Sequence, residues 1–104
     1  MTDKFLNLLG LCRKANKLEC GIKPVKYSVK SRCAKVVIIA SDVSDIAISG
    51  VVNAALDATI KVITTGYTKV ELGGAIGFAS MAAAAVTDEG LAKAICKLDN
   101  ESKM

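Results

Sequence analysis

With 104 residues, 52% of them hydrophobic, the chain is long enough for one compact domain and too short for two ordinary ones. Its formal charge of +4 is unevenly placed: residues 1–35 hold nine Lys/Arg against Asp3 and Glu19, a net of +7, whereas the rest hold five against eight acids, a net of −3. That asymmetry predicts one basic face and an anionic partner. Cysteines 12, 20, 33 and 96 form no C-x-x-C pair and histidine is absent, so a Cys/His zinc site is excluded and no cofactor is expected. The thiols read as reduced and mostly buried, as in an intracellular protein. No run approaches the ~20 apolar residues of a membrane span. The opening apolar stretch is preceded by Asp3 and followed by basic residues rather than a cleavage site, so the expected location is the cytoplasm. Aromatic residues are only 4%, which leaves burial to aliphatic side chains and alanine and predicts closely packed helices.

In TDKFLNLLGLCRKAN, Phe5, Leu8, Leu9 and Cys12 fall at helical spacing and Thr2 or Asp3 can cap the first amides, so a helix is expected over about 3–15. A short extended piece, KLEC, stops at Gly21. Pro24 suits the first turn of a helix, where its missing N–H has no partner to lose, and it biases Lys23 toward an extended conformation. The second helix is therefore expected to begin near Pro24. On it Lys26, Tyr27 and Lys30 share one side, with Val25 and Val29 on the other. KVVIIAS is short, β-branched and bounded by charge and turn residues, which suits a central strand buried on both faces.

SDIAISGVVNAALDAT reads as a third helix capped by Ser44, with Ile46, Gly50, Ala54 and Ala58 small or apolar on one side; IKVITTG reads as a further strand. TKVELGGAIG reads as a short helix opened by Thr68 and closed by Gly77, the usual residue at a left-handed C-terminal position. SMAAAAV is ambiguous, because alanine favours helix while the order of elements needs a strand. TDEGLAKAICKL reads as the last helix, capped by Thr87, with Leu91, Ala94, Ile95 and Leu98 on one face. The expectation is a single α/β domain over 1–99, a three-layer α-β-α sandwich around a mixed sheet of about four strands, followed by a disordered tail over 100–104.

The start of the second helix is chemically suited to an anion. Free amides and the helix dipole favour phosphate there, and Gly21 allows close backbone approach. Lys23, Lys26 and Lys30 add charge, and Tyr27 can stack on a base or donate a hydrogen bond. For catalysis the chain offers no paired-carboxylate motif, no Ser-His-Asp set and no phosphate loop, so no enzyme is expected. A rival reading makes Cys20, set before a helix start, a nucleophile of depressed pKa, although no histidine is available as its base.

The string KLECGIKPVKYSVKSRCAKVVIIASDVS, followed by ELGGAIG and AAAAVTDEGLAKAI, resembles the ribosomal protein superfamily of the L-seven-Ae and L-thirty-e type, in particular its bacterial YlxQ-like branch. The likeness covers roughly residues 4–96. It implies the α-β-α sandwich and, for many members, binding of RNA kink-turns as part of a ribonucleoprotein. In those members the turn into the second helix carries Gly-x-Asn-Glu-x-x-Lys; here Gly21 matches, while Lys23, Pro24 and Tyr27 stand at the other three positions. Related members tend to carry lysines where this chain has VSDIAISG. The loop Phe78, Ala79, Ser80 and Met81 matches one that packs against exposed nucleotides in the family. The expected RNA-binding set is thus Gly21, Lys23, Pro24, Lys26, Tyr27 and Lys30, with Ser41, Asp42 and the loop 78–81 beside it. The expected partner is structured, ribosomal RNA and no membrane. The alternative is a protein-binding or homo-oligomeric member of the fold that docks through its alanine-rich strand and uncharged third helix.

Overall fold

The run KVVIIAS forms strand β2 (Val36–Ile39), and all four of its residues are buried. Its side chains alternate between the two faces of the sheet, Val36 and Ile38 joining one apolar cluster and Val37 and Ile39 the other. A strand buried on both faces needs helices above and below, and the computed structural model, which describes residues 3–102, supplies them. The remaining strands are β1 (Leu18–Cys20), β3 (Lys61–Thr64) and β4 (Ala83–Val86), in the spatial order β1-β4-β2-β3. β4 runs antiparallel to both β1 and β2, and β2 runs parallel to β3, so the sheet is mixed.

On one face lie α1 (Lys4–Lys14), α4 (Lys69–Ile76) and α5 (Glu89–Ser102), packed through Phe5, Leu9, Cys12, Leu72, Ile76, Ala92 and Ile95. On the other lie α2 (Ile22–Lys30) and α3 (Asp45–Asp57), packed through Val25, Val29, Ile48, Val51 and Ala55. The three-layer sandwich is thereby established. The alanine run resolves as a strand because β4 sits between β1 and β2, where pairing on both edges overrides intrinsic helix preference. Its small side chains also let both helical layers approach: Ala83 and Ala85 face α2 and α3, while Ala84 faces the other layer; with all four residues buried, the strand is not the contact surface expected of it.

Several expected boundaries shift. α2 starts at Ile22, not near Pro24, because Gly21 takes a positive φ of 100° and turns the chain into the helix at once; Pro24 still falls in the first turn, where it forfeits no hydrogen bond. On α3 the buried stripe is Ile48, Val51 and Ala55, and Ile46 points outward at 89% exposure. The Asp88 carboxylate, not Thr87, caps the last helix by accepting from Leu91 N–H at 2.9 Å; Thr87 N–H is already engaged, donating to the Lys17 carbonyl. α5 continues to Ser102, so residues 100–102 of the expected tail are helical, while 103–104 lie outside the described residues. Asp3 caps α1 by accepting from Leu6 N–H at 3.0 Å; the other candidate, Thr2, also lies outside them. Ser44, Thr68 and Gly77 take their expected places, Thr68 within a reciprocal capping box with Glu71 and Gly77 at a φ of 82°. The thiols are more varied than expected: Cys12 is buried, Cys20 and Cys96 are half-buried and Cys33 is exposed.

Candidate nucleic-acid interface

The register of the sheet brings distant parts of the chain to one end. Cys20 pairs with Ala84, and Ile39 pairs with both Ala83 and Thr64, so the last residues of β1, β2 and β3 lie beside the first of β4. The connections at that end are the Gly21 turn, residues 40–44, residues 65–68 and residues 77–82. Backbone hydrogen bonds join them: Gly21 N–H donates to the Ala83 carbonyl at 2.9 Å, Ala40 N–H to Ala82 at 3.0 Å, and Ser41 N–H to Tyr67 at 2.8 Å. The two loops and the helix start singled out in the sequence therefore meet at one end of the sheet.

On α2, burial of Val25, Ser28 and Val29 turns Lys23, Tyr27 and Lys30 outward, with Tyr27 75% exposed and Lys26 half-buried beside them. No side chain caps the first amides of this helix. The stripe from Lys23 to Lys30 covers about 10 Å of helix axis at 1.5 Å per residue. Lys26 lies across α3: a methyl group added at Gly50 would come 3.3 Å from its Nζ. Among the described residues the one ion pair joins Lys93 to Glu89, so the ammonium groups of this stripe have no carboxylate within 4 Å. α3 contrasts with it, carrying Asp45 and Asp57 and no basic residue.

The basic residues of the first third do not form one face, as their sequence clustering predicted. Arg32 reaches the far ends of α2 and α3, beside Ala54 and Asp57. Lys35 lies against α5 with Glu89 and Lys93, and Lys14 lines a groove between α1 and α4 that also holds Asp3 and Glu71. Strand and helix direction divides them among surfaces; the α2 stripe begins at the shared sheet end with Lys23 and runs to Lys30, which lines the same far-end hollow as Arg32 and Asp57.

The other predicted residues are differently engaged. The Asp42 carboxylate accepts from Lys69 N–H at 2.8 Å, holding the start of α4 to the end of β2. Met81 is only 2% exposed and belongs to the core, so its side chain does not present an apolar surface to a ligand. The cause is close packing of its loop on α4, where Met81 N–H donates to the Lys69 carbonyl and Phe78 N–H to that of Gly73. A Cβ at Gly73 would lie 2.6 Å from the Cα of Ser80, closer than any side chain tolerates. Ala79 and Ser80 are exposed, and Phe78 is 41% exposed.

Sequence reasoning missed Arg13. Its guanidinium sits 5.3 Å from the centre of the Phe78 ring, a cation–π contact between residues far apart in the chain. Only its place among the nine basic residues of the first third could have drawn notice. Its charge also reaches Cys20, yet burial outweighs it and pushes the Cys20 thiol above its ordinary value of 9.0. A thiol held protonated is a poor nucleophile, which removes the basis of the Cys20 reading. Tyr67 anchors the neighbouring loop by stacking on Phe5 and donating its hydroxyl to the Asp3 carboxylate. Burial first, and then Asp3, pushes the Tyr67 hydroxyl up to about 12, and the same hydrogen bond holds Asp3 below its ordinary value. Among the described residues no cluster of three His, Cys, Asp or Glu side chains is placed to hold a metal ion, and no helix is long and apolar enough to cross a membrane.

Residues 3–96 match the model of the family described as ribosomal protein L7Ae/L30e/S12e/Gadd45. A solved structure from Bacillus halodurans, described as a protein with unknown function, is similar at 27% identity with a TM-score of 0.89, covering 95% of this chain and 99% of that one. A 15.5kD RNA binding protein from Giardia lamblia is similar at 20% identity with a TM-score of 0.75, covering 99% of this chain and 91% of that one, and at that identity the likeness speaks for the fold. No curated protein sequence matches the chain.

Proposed function

The chain belongs to the ribosomal protein L7Ae/L30e/S12e/Gadd45 family, and from that premise we propose that it is a cytoplasmic, ribosome-associated protein of the bacterial YlxQ-like branch that binds structured RNA through the start of α2. The observation that carries this reading is the outward stripe of Lys23, Lys26, Tyr27 and Lys30, free of carboxylate partners among the described residues, at a helix start whose amides no side chain caps. Phosphate oxygens are the natural ligands of such a stripe. Ser41, Ala79 and Ser80 lie in the loops beside it and supply secondary contacts, while Asp42 at the surface and Met81 in the core brace those loops. Lys23 and Pro24 lack the acceptors that Asn and Glu would offer to base edges, so binding rests on phosphate and shape more than on bases. The likeness in fold to the Giardia lamblia RNA binding protein supports the same partner class.

Gel shifts with a kink-turn RNA, an unbent duplex and a single strand at two salt concentrations test this. Affinity is expected to fall steeply with salt, and a joint Lys26→Ala/Lys30→Ala change is expected to flatten the dependence by roughly 1–2 units, near 0.9 per phosphate released. Binding of every RNA that the double change leaves untouched would remove α2 from the interface.

A second reading has its own support. Ile46 and Leu56 stand 89% and 68% exposed on α3, which suits a protein contact or self-association. Light scattering distinguishes it: a concentration-dependent dimer that Ile46→Lys disperses is the expected sign.

A further inference from the structure

The RNA reading leaves Arg13 unassigned, although the fold sets it beside the end of the sheet where α2 begins. Three observations bear on it. Its guanidinium is held 5.3 Å over the ring of Phe78, which is itself part-exposed. The side chain makes no hydrogen bond or ion pair with another described residue, so its donors are not committed. It lies in the last turn of α1, from which the chain passes through a short turn into β1, the edge strand that ends at the Gly21 turn and carries one exposed acid, Glu19.

Charge elsewhere at the sheet end narrows the path open to a polyanion. The α3 side presents Asp42 and Asp45 with no basic residue on the helix behind them. The α1 side presents Arg13 at the last turn of α1, where the helix dipole favours a cation. Resting on the RNA-binding reading, we infer that the Arg13–Phe78 pair is a second phosphodiester-binding site, and that bound RNA passes from the start of α2 over the β1 edge toward α1 rather than along α3.

The chemistry suits that role. A guanidinium whose face is covered by an aromatic ring keeps its in-plane N–H fork free to donate to two oxygens of one phosphate. Phe78 therefore acts as a positioning residue, restricting where the fork lies before RNA arrives. Lysine in place of Arg13 would keep the charge and lose the fork.

The test measures fluorescence anisotropy of a labelled kink-turn RNA at several salt concentrations with the full chain, Arg13→Gln, Arg13→Lys, Phe78→Leu and Lys35→Gln, each checked for folding by circular dichroism. Arg13→Gln is expected to weaken binding several-fold and to flatten the salt slope by roughly 0.9, the value for one phosphate. Arg13→Lys should keep the slope with reduced affinity, and Phe78→Leu should lower affinity at an unchanged slope. Lys35→Gln, against α5 at the opposite end of the sheet, should change neither. Arg13→Gln bound as tightly as the parent, in the same assay where Lys26→Ala/Lys30→Ala weakens binding, would overturn this inference and leave the α2 reading standing. A parent chain that binds no RNA would overturn both.

Discussion

α2 and α3 cover the same face of the same sheet, and their inner sides are alike: Val25 and Val29 on one, Ile48, Val51 and Ala55 on the other, all buried in one apolar cluster. Their outer sides differ. α2 shows lysines and a tyrosine to solvent, whereas α3 shows Ile46, Asn53 and Leu56 and has only acids for charge. The inner stripe is dictated by the requirement to bury a sheet face, so it says little about function. The outer stripe is under no such demand, and there the two helices differ in charge and polarity.

If the inner sides are equivalent, equal truncations should cost equal stability. Val29→Ala on α2 and Val51→Ala on α3, both fully buried, should each lower the unfolding free energy by about 2 kcal/mol, from lost transfer energy plus a residual cavity. Urea unfolding would measure this, and a cost confined to one helix would break the symmetry. If the outer sides alone decide RNA binding, lysines moved to α3 should create affinity. A joint Ile46→Lys/Asn53→Lys change should leave stability within about 0.5 kcal/mol and steepen the salt slope by roughly 1–2 units. No gain would show that the path of the RNA avoids α3 whatever its charge.

The smallest effect comes from the opposite layer and sharpens the contrast, because neither α2 nor α3 shows a comparable carboxylate anchor. Asp3 both caps α1 and accepts from Tyr67, and its pKa is depressed in the folded chain, chiefly by that hydroxyl. A depressed carboxylate contributes stability above its unfolded value near 3.8 and loses it as pH falls through the folded one. Thermal midpoints should therefore drop as pH falls below about 3.8, and the drop should be shallower in Tyr67→Phe. Equal slopes in the two proteins would show that the hydrogen bond adds nothing.

Much of the fold could be read in the order of residues because burial and periodicity coincide. Val25 and Val29, the KVVIIAS run and the Thr68-to-Gly77 helix each carry a local signal that packing then reinforces. The alanine run could not be read locally, since what makes it a strand is pairing with two partners on either side. The face of α3 was obscured for a related reason: Ile46 is apolar yet lies off the stripe that Ile48, Val51 and Ala55 define. At the candidate site, spacing showed the α2 stripe, whereas Met81 and Arg13 were illegible. Whether a methionine in a loop faces out depends on the depth of that loop against α4, and a contact between Arg13 and Phe78 spans most of the chain.

The paired glycines of α4 look interchangeable when written as Leu72-Gly73-Gly74. Gly74 faces open space, and Gly73 touches the backbone of the loop that carries Phe78. In a library randomised at both positions, the survivors selected for folding would be diverse at the second and almost invariant at the first. Residue 73 works as a steric gauge on the height of the loop, so a position with no side chain sets where the aromatic partner of Arg13 comes to rest.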